Sequence, residues 1–296
     1  MGVSFRGAVT EIFLPWTESY EIDLSALKKH VEFQIESGIK GLYVNGLGTE
    51  SIFLTTDDVV KLTKAVVEYA QGRIPVITNI QNNSLKGALD LQRRLQETNV
   101  DAMSIAQPFS LPFKMSTLKE YYEKIIENAD RPIFINNTRE SGNILNAEFV
   151  SDLVNRYPHV VGYKDSTLSM AHLQEVLNLV KKDNFEYVSG SDGIILPLIA
   201  LGGHGVFSAI SNNYPKLIIE LCDLCLSGEF IKARELNSFV NKLRTVIKNV
   251  ADIEVYKYIA KLMGIIPSSR VMSPLSEVTP EEGEYLKTEL HKLGLL

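Results

Sequence analysis

Eight short hydrophobic runs alternate with amphipathic segments along this chain of 296 residues. The runs are rich in Val, Ile, Phe and Tyr, as β-strands are, whereas the intervening segments repeat their apolar residues at helical spacing. The runs cover residues 7–14, 41–46, 74–80, 101–108, 132–137, 160–165, 186–192 and 203–210. Strands that alternate with helices form parallel sheets, and eight such units close a TIM (β/α)8 barrel. The sequence therefore predicts this barrel.

The main alternative is an open, doubly wound parallel sheet. Such a sheet usually carries a glycine-rich turn after its first strand, whereas here the first run ends in Phe13, Leu14 and Pro15. Beyond the eighth unit, further helical patterns predict more helices, at residues 230–249, 253–263 and 280–293. We therefore expect a barrel over residues 1–228 and a C-terminal helical extension over residues 229–296 that packs on it.

Residues that favour helix N-caps precede several of the helical patterns. A side-chain oxygen at this position accepts a hydrogen bond from a backbone N–H of the first turn. The predicted caps are Asp23, Thr56, Ser116 and Asn146.

The charge balance and the cysteine content argue against several classes of function. The 30 basic and 36 acidic residues give a net charge of −6, so no basic nucleic-acid-binding surface is expected. The sequence lacks an apolar run of about 18 residues, as a membrane span requires, and its N-terminus does not resemble a signal peptide. Cys222 and Cys225 lie in a helical pattern without a second Cys/His pair, which favours two reduced thiols over a zinc or redox site. We expect a cytoplasmic protein without nucleic-acid or membrane partners.

Lys164 is the most informative candidate for chemistry, because it lies near the end of the sixth predicted strand. Catalytic groups of TIM barrels lie at the carboxyl ends of the strands. If Lys164 faces the lumen, burial disfavours its ammonium form and lowers its pKa, and a neutral amine attacks a ketone to form a Schiff base. The alternative is an exposed lysine at a strand end, and this segment alone does not decide between them.

Two other strand ends carry candidate binding groups. The fifth run ends in Asn136 and Asn137, whose amides either orient a substrate or cap a turn. After the second run, Gly48 and Thr49 lie in a loop of glycines and small hydroxyl residues, which is typical of a backbone N–H site for an anion. The loop is not a nucleotide-binding P-loop, because no Gly-Lys-Ser/Thr follows.

The order and spacing of several segments resemble one enzyme family over essentially the whole chain. It is the pyruvate-dependent class I aldolase and lyase family, which includes dihydrodipicolinate synthase, N-acetylneuraminate lyase and the archaeal 2-keto-3-deoxygluconate aldolases. The archaeal aldolases are the nearest in our interpretation. The segments that carry the resemblance are VVGYKDST at residues 160–167, GLGTES at 46–51, the strand at 132–137, SGSD at 189–192, GVFS at 205–208 and NNYP at 212–215.

The resemblance implies a role for each candidate. Lys164 would form the Schiff base, Gly48 and Thr49 would hold the carboxylate of pyruvate, and Phe207 would line the pyruvate pocket. The covalent imine takes over the role of a metal, so neither a metal nor a cofactor is expected. The resemblance also implies a homotetramer.

The sequence departs from the family where protons are transferred. Asn136 stands in the place of the tyrosine that relays protons, and Leu47 and Gly48 replace the two threonines of the pyruvate loop. Residues 108–113 contain no tyrosine where relatives carry one or two, and Ser141 occupies the slot of the synthase's arginine. An amide is not an acid or base near neutral pH, so a water, Thr49 or the substrate's own carboxylate would have to take over the relay. Asn136 is still expected to take part in catalysis at this position.

We therefore predict an enzyme, a carbon–carbon lyase that cleaves a 2-keto-3-deoxy sugar acid such as 2-keto-3-deoxygluconate to pyruvate and an aldehyde. The altered pyruvate loop favours this activity over the alternatives, N-acetylneuraminate lyase and dihydrodipicolinate synthase. An alternative from another class is a non-catalytic sensor that binds a 2-oxo acid, which the missing relay favours. The lysine opposes the sensor, because an unused buried amine is costly.

Overall fold

Eight parallel strands close into a barrel in chain order in the computed structural model, which describes residues 3–109 and 111–296. The predicted (β/α)8 fold is confirmed. Most of the observed strands are shorter than the hydrophobic runs, because the last residues of most runs already belong to the loops above the barrel. The strands are β1 (Gly7–Glu11), β2 (Leu42–Val44), β3 (Val76–Ile80), β4 (Ala102–Ala106), β5 (Ile133–Asn137), β6 (Val160–Asp165), β7 (Glu186–Ser189) and β8 (Gly205–Ser208).

Helices follow the strands around the outside of the barrel. They are α1 (Leu24–Glu36), α2 (Thr56–Ala70), α3 (Leu85–Gln96), α4 (Met115–Glu127), α5 (Ala147–Arg156), α6 (Met170–Leu179), α7 (Ile195–Ala200) and α8 (Pro215–Leu226). Asp23 and Asn146 cap α1 and α5 as predicted. The other two predicted caps are wrong: Thr55, in a reciprocal bond with Asp58, caps α2, and Ser116 lies inside α4.

Large side chains fill the barrel interior beneath the strand ends. Phe134 and Phe207 stack with their ring centroids 6.0 Å apart, and Phe207 also contacts Tyr43 at 5.0 Å. Gly162 is required here, because a Cβ at this position would lie 2.1 Å from the Phe134 ring. These rings close the lumen, so the space above them forms a floored cavity rather than a pore.

Three further helices, α9 (Phe230–Lys248), α10 (Glu254–Leu262) and α11 (Pro280–Lys292), form the predicted C-terminal extension. The α9 helix packs against α7 and α8. The predicted division between residues 228 and 229 lies in the short connection between α8 and α9, and it stays a prediction.

A buried ion pair joins the extension to the barrel. Lys257 of α10 pairs with Glu50, and both side chains are fully buried. Glu50 also accepts hydrogen bonds from the Trp16 indole at 3.1 Å and from the Met272 amide at 2.7 Å. Because Glu50 directly follows the loop at Leu47–Thr49, these contacts hold the C-terminal end of that loop in place.

Cys222 and Cys225 are buried free thiols on α8. Burial raises the pKa of Cys222 well above its usual range and that of Cys225 to about 11, so both thiols are protonated and unreactive near neutral pH. Among residues 3–109 and 111–296, no helix is both long and apolar enough to cross a membrane.

Candidate active site at the barrel mouth

The side chain of Lys164 points into a cavity of about 450 Å³ above the carboxyl ends of the strands. It is only 5% exposed, and its Nζ lies 4.7 Å from the centroid of the Tyr43 ring. Strand pairing brings Asn136 of β5 directly beside Lys164 of β6. Lys164, Asn136, Gly48 and Phe207 all line the cavity, so four of the five predicted site residues are brought together.

A carboxylate that the sequence analysis missed contacts the lysine directly. Glu11 is the last residue of β1, and its Oε2 accepts a hydrogen bond from Lys164 Nζ at 3.0 Å. The other oxygen, Oε1, accepts a hydrogen bond from the Gly48 amide, also at 3.0 Å. The Glu11 carboxylate therefore lies between the candidate nucleophile and the candidate anion-binding loop.

The loop around Gly46 is shaped to admit this carboxylate. A Cβ at Gly46 would lie 2.4 Å from Glu11 Oε1 and 2.6 Å from the Tyr43 ring. No side chain larger than hydrogen fits there unless both Glu11 and Tyr43 move. A signal was available in the sequence: Glu11 is the one charged residue within the hydrophobic run at residues 7–14, and charged residues are rarely buried without a partner.

The expectation of a lowered pKa for Lys164 is wrong. Burial does lower this pKa, but the neighbouring Glu11 carboxylate and Tyr43 raise it by more, so the net shift is upward from the usual lysine value. Burial alone was considered at the sequence level, and the ion pair reverses the result. The resting site therefore holds an ammonium beside a carboxylate, and the lysine must lose a proton before it attacks a carbonyl.

Asn136 belongs to a chain of polar groups across the barrel mouth. Its Nδ2 donates a hydrogen bond to the Tyr43 hydroxyl at 3.1 Å, which lies 3.1 Å from Ser104 Oγ. Ser104 in turn donates to Asn79 Oδ1 at 2.7 Å. Burial raises the pKa of Tyr43 to about 12, so its hydroxyl stays protonated near neutral pH. The side-chain oxygen Oδ1 of Asn136 is buried and has no hydrogen-bond partner among the described residues.

Thr49 lies outside the cavity lining and is fully buried. Its hydroxyl donates a hydrogen bond to the Gly46 carbonyl at 2.7 Å, and its amide donates to the same oxygen at 3.1 Å. The Gly48 amide donates its hydrogen to Glu11. All three N–H and O–H groups predicted to hold a substrate carboxylate are therefore already bonded to acceptors within the protein.

The rim of the cavity carries charged residues from two regions. Arg139 and Glu140 follow β5, while Arg244 and Lys248 come from α9 in the C-terminal extension. The α9 residues were missed because no local pattern indicates that a helix beyond the eighth unit folds back over the barrel mouth.

Ser110, in the segment that lacks the family's tyrosine, lies outside the described residues. No cluster of three His, Cys, Asp or Glu side chains suited to a metal ion occurs within the part of the chain that the structure describes.

Comparison with known proteins places this site in a family. Residues 4–293 match the Dihydrodipicolinate synthetase family. The chain belongs to this family. A 4-hydroxy-tetrahydrodipicolinate synthase from Pseudoalteromonas atlantica is 29% identical over 294 residues, 99% of each chain. The enzyme of the same name from Persephonella marina is 30% identical over 294 residues, again 99% of each chain.

Solved structures of the family superpose on the whole chain. Dihydrodipicolinate synthase from Aquifex aeolicus has a TM-score of 0.94 at 27% identity, over 98% of this chain and 99% of its own. The enzyme from Thermotoga maritima has a TM-score of 0.93 at 28% identity, over 99% of each chain. The barrel and its helical extension are therefore the fold of the family.

Family membership confirms the resemblance at the level of chemistry. Members of the family are enzymes that act on small 2-oxo acids through a Schiff base between a lysine and pyruvate, and they need no external cofactor. The relatives named above are dihydrodipicolinate synthases and not 2-keto-3-deoxygluconate aldolases. The comparisons thus support the synthase alternative better than the sugar-acid aldolase.

Proposed function

We propose that this protein is a Schiff-base carbon–carbon lyase in which Lys164 forms an imine with the keto carbon of a 2-oxo acid. The observation that supports it most is the placement of Lys164, buried to 95% at the inner wall of the cavity at the barrel mouth. A buried primary amine that faces an open cavity has the position required of an imine-forming nucleophile. The Tyr43 ring lies with its centroid 4.7 Å from Nζ, and Phe207 contacts that ring.

The imine supplies the electron sink for the carbon–carbon bond. Lys164 attacks C2 and water leaves, which gives a cationic imine. A base then takes the proton of the C4 hydroxyl, the C4–O bond becomes the C=O bond of the aldehyde, and the electrons of the C3–C4 bond move to the imine to give an enamine. Protonation of the enamine and hydrolysis then return pyruvate and the free lysine. Asn136 beside the lysine positions the substrate through its side-chain amide.

Within this chemistry we propose a 2-keto-3-deoxy sugar acid, such as 2-keto-3-deoxygluconate, as the substrate. Amide and hydroxyl groups suited to binding sugar hydroxyls line the cavity: Asn79, Gln81, Asn136, Thr138 and Ser166. The product aldehyde would leave past the charged rim. This assignment would place the enzyme in carbohydrate metabolism.

Dihydrodipicolinate synthase is the second candidate, and the names of the relatives support it. Three positions oppose it, because Asn136, Gly48 and Ser141 stand where the resemblance places a tyrosine, a threonine and an arginine. The Ser141 hydroxyl donates to the Thr138 carbonyl at 2.9 Å and is thus part of its own turn.

Borohydride trapping followed by turnover assays tests the proposal. Pyruvate with borohydride should add mass to a peptide containing Lys164, and 2-keto-3-deoxy sugar acids should release pyruvate in a turnover assay. Release of pyruvate from N-acetylneuraminate alone would favour the neuraminate lyase. Condensation of pyruvate with aldehydes, without cleavage of any sugar acid, would favour the synthase. Trapping without turnover in either direction would favour a 2-oxo-acid sensor, and labelling of another lysine would refute the role of Lys164.

We also propose a cytoplasmic homotetramer, which the family resemblance supports. Light scattering coupled to size-exclusion chromatography measures the oligomeric state, and fractionation of cells measures the compartment.

A further inference from the structure

We propose that Glu11 is the acid–base catalyst of imine formation and takes over the proton transfer for which the family uses a tyrosine. This inference rests on the proposed function of Lys164 and names the group that makes that lysine reactive. It starts from a requirement of the site, because an ammonium has no lone pair and a base must remove its proton before it attacks a carbonyl.

Glu11 meets the geometric requirement for that base. Its Oε2 lies 3.0 Å from Lys164 Nζ, within the range required for direct proton transfer. Among the described residues, it is the carboxylate that is hydrogen-bonded to this nitrogen. The side chain also lines the cavity, so the same carboxylate faces the place where a carbonyl substrate meets the lysine.

The other groups near the lysine are unsuited to the task. Tyr43 presents its ring to Nζ, and its hydroxyl is engaged with Asn136 and Ser104. The amide of Asn136 neither gains nor loses a proton near neutral pH. The Thr49 hydroxyl, a candidate from the sequence, donates to Gly46 within its own loop.

The surroundings hold Glu11 in place for this role. The Gly48 amide donates to Oε1, which leaves Oε2 to exchange a proton with the lysine. Gly46 supplies the space that the carboxylate occupies. Removal of one partner from a buried ion pair normally lowers the stability of the fold, because the other charge is left without its counter-ion. The ion pair with Lys164 therefore stabilises the Glu11 carboxylate in its buried position.

The proton transfers balance over the step. Lys164 gives a proton to Glu11, and the free amine forms a C–N bond to C2 while the carbonyl electrons move to oxygen. A proton passes from nitrogen to that oxygen, which gives a carbinolamine. Glu11 then returns its proton to the hydroxyl, which leaves as water while the nitrogen lone pair forms the C=N bond. The step ends with a cationic imine beside the Glu11 carboxylate.

A competing role for Glu11 follows from the same contacts. The carboxylate occupies the Gly48 amide, which the family resemblance assigns to the carboxylate of the substrate. If Glu11 only filled that place until pyruvate displaced it, its removal would strengthen pyruvate binding and leave the chemistry intact. The two roles therefore predict opposite effects of one substitution.

The test measures the rate of imine formation with pyruvate in the full-length protein by timed borohydride quenching and mass spectrometry. In Glu11→Gln we expect the rate at saturating pyruvate to fall by roughly 100-fold or more, the usual size of an acid–base contribution. The pyruvate concentration for half-saturation should change by less than about threefold, because the amide preserves the size of the side chain. The rate in Glu11→Asp should lie between that of Glu11→Gln and that of the unaltered protein, because aspartate keeps the carboxyl group but holds it farther from Lys164.

Glu186→Gln is the matched control. Glu186 is also a largely buried barrel glutamate, but it begins β7 at the opposite end and accepts hydrogen bonds from Ser4 and the Phe5 amide. Its substitution should leave the trapping rate unchanged. Thermal unfolding of each variant identifies any that does not fold, and in that case Glu11→Asp carries the comparison.

The pH dependence of trapping separates an acid–base role from a structural one. The groups that face the pair are Tyr43 from below, Glu140 at the rim and Tyr256 from α10. In Glu11→Gln, burial without the pairing carboxylate should lower the pKa of Lys164, so the rising limb of the trapping rate should move to lower pH while its plateau stays depressed. A plateau equal to that of the unaltered protein, or tighter pyruvate binding at an unchanged rate, would overturn the inference and leave the proposed function intact. If the unaltered protein traps pyruvate at no lysine, both fail.

Discussion

Glu11 and Lys164 are 153 positions apart in the chain, yet their side chains meet across the barrel mouth at 3.0 Å. The contact depends on barrel closure, which brings the carboxyl ends of β1 and β6 around one lumen. Lys164 was a candidate from the sequence, whereas Glu11 was not. The contact also changes the character of the site from an isolated amine in the lumen to a charged pair that lines the cavity.

Replacement of the proposed nucleophile should abolish covalent chemistry. In Lys164→Arg we expect no trapping of pyruvate and no turnover, because a guanidinium stays protonated and forms no imine. Mass spectrometry of the borohydride-treated protein measures the first effect. Lys86→Arg, on the exposed surface of α3, is the control and should be trapped at Lys164 as in the unaltered protein. Residual trapping in Lys164→Arg would assign the imine to another lysine.

Asn136 should affect the position of the substrate more than proton transfer. Its side-chain Nδ2 donates to the Tyr43 hydroxyl, while its side-chain Oδ1 has no hydrogen-bond partner among the described residues. Asn136→Ala should reduce kcat/KM by the equivalent of about 1–3 kcal/mol, the effect of one lost hydrogen bond and the polar group that it leaves unpaired. Steady-state kinetics measures the change, and an unaltered kcat/KM would exclude Asn136 from the reaction.

Asn136→Tyr distinguishes a modified site from an impaired one. If the site has been rebuilt around Glu11 and the amide, the larger ring should block the cavity and lower the rate of imine formation. A faster reaction in Asn136→Tyr would instead indicate that the family's tyrosine relay still fits this barrel.

The barrel and the position of Lys164 could be predicted because they depend on local patterns. Each strand is a hydrophobic run and each helix a periodic one, and both signals survive without knowledge of the neighbours. Lys164 near the end of a run follows from the rule that barrel chemistry lies at the carboxyl ends of the strands.

The Glu11 contact and the sign of the pKa shift at Lys164 could not be derived in the same way. Both depend on which side chains of distant strands face one another across the lumen. The sequence of one strand does not determine its register relative to the other strands. Arg244 and Lys248 at the rim are further cases, since their position follows from how α9 packs on the barrel. The misplaced cap at Thr56 has a local cause: Thr55 next to it has the same hydroxyl and makes the reciprocal bond with Asp58.

Removal of one partner from the buried pair of Lys257 and Glu50 should strongly destabilise the fold. Burial lowers the pKa of Lys257 to about 8, although Glu50 acts in the opposite direction. Lys257→Met leaves the Glu50 carboxylate buried without its cation, and we expect the free energy of unfolding to fall by about 3–5 kcal/mol. Urea unfolding measures this. Lys287→Met, which breaks the exposed pair with Glu284 on α11, should cost no more than about 1 kcal/mol; equal effects of the two substitutions would contradict the expectation.

His30 should make the fold sensitive to acid. The ring is fully buried, stacks on Phe13 with 4.1 Å between centroids, and lies with Nε2 2.9 Å from Asn212 Oδ1. Burial lowers its pKa to about 4, against a partial opposing effect of Asn212. Because the unfolded chain binds the proton with a pKa near 6.5, the unfolded state gains protons first as the pH falls. The stability that His30 contributes is therefore present above about pH 6.5 and is lost progressively towards pH 4.

The size of this acid effect follows from the two pKa values. Between pH 7 and pH 5, His30 alone should reduce the free energy of unfolding by about 2 kcal/mol. Urea unfolding at several pH values, followed by the fluorescence of buried Trp16, measures the slope. His30→Gln keeps a donor for Asn212 but does not titrate, so its stability should fall less steeply over this interval. Burial also lowers the pKa of His204 to about 4. His204 should therefore still contribute to the pH dependence of the free energy of unfolding in His30→Gln. An equally steep fall in His30→Gln would assign the acid sensitivity to other groups.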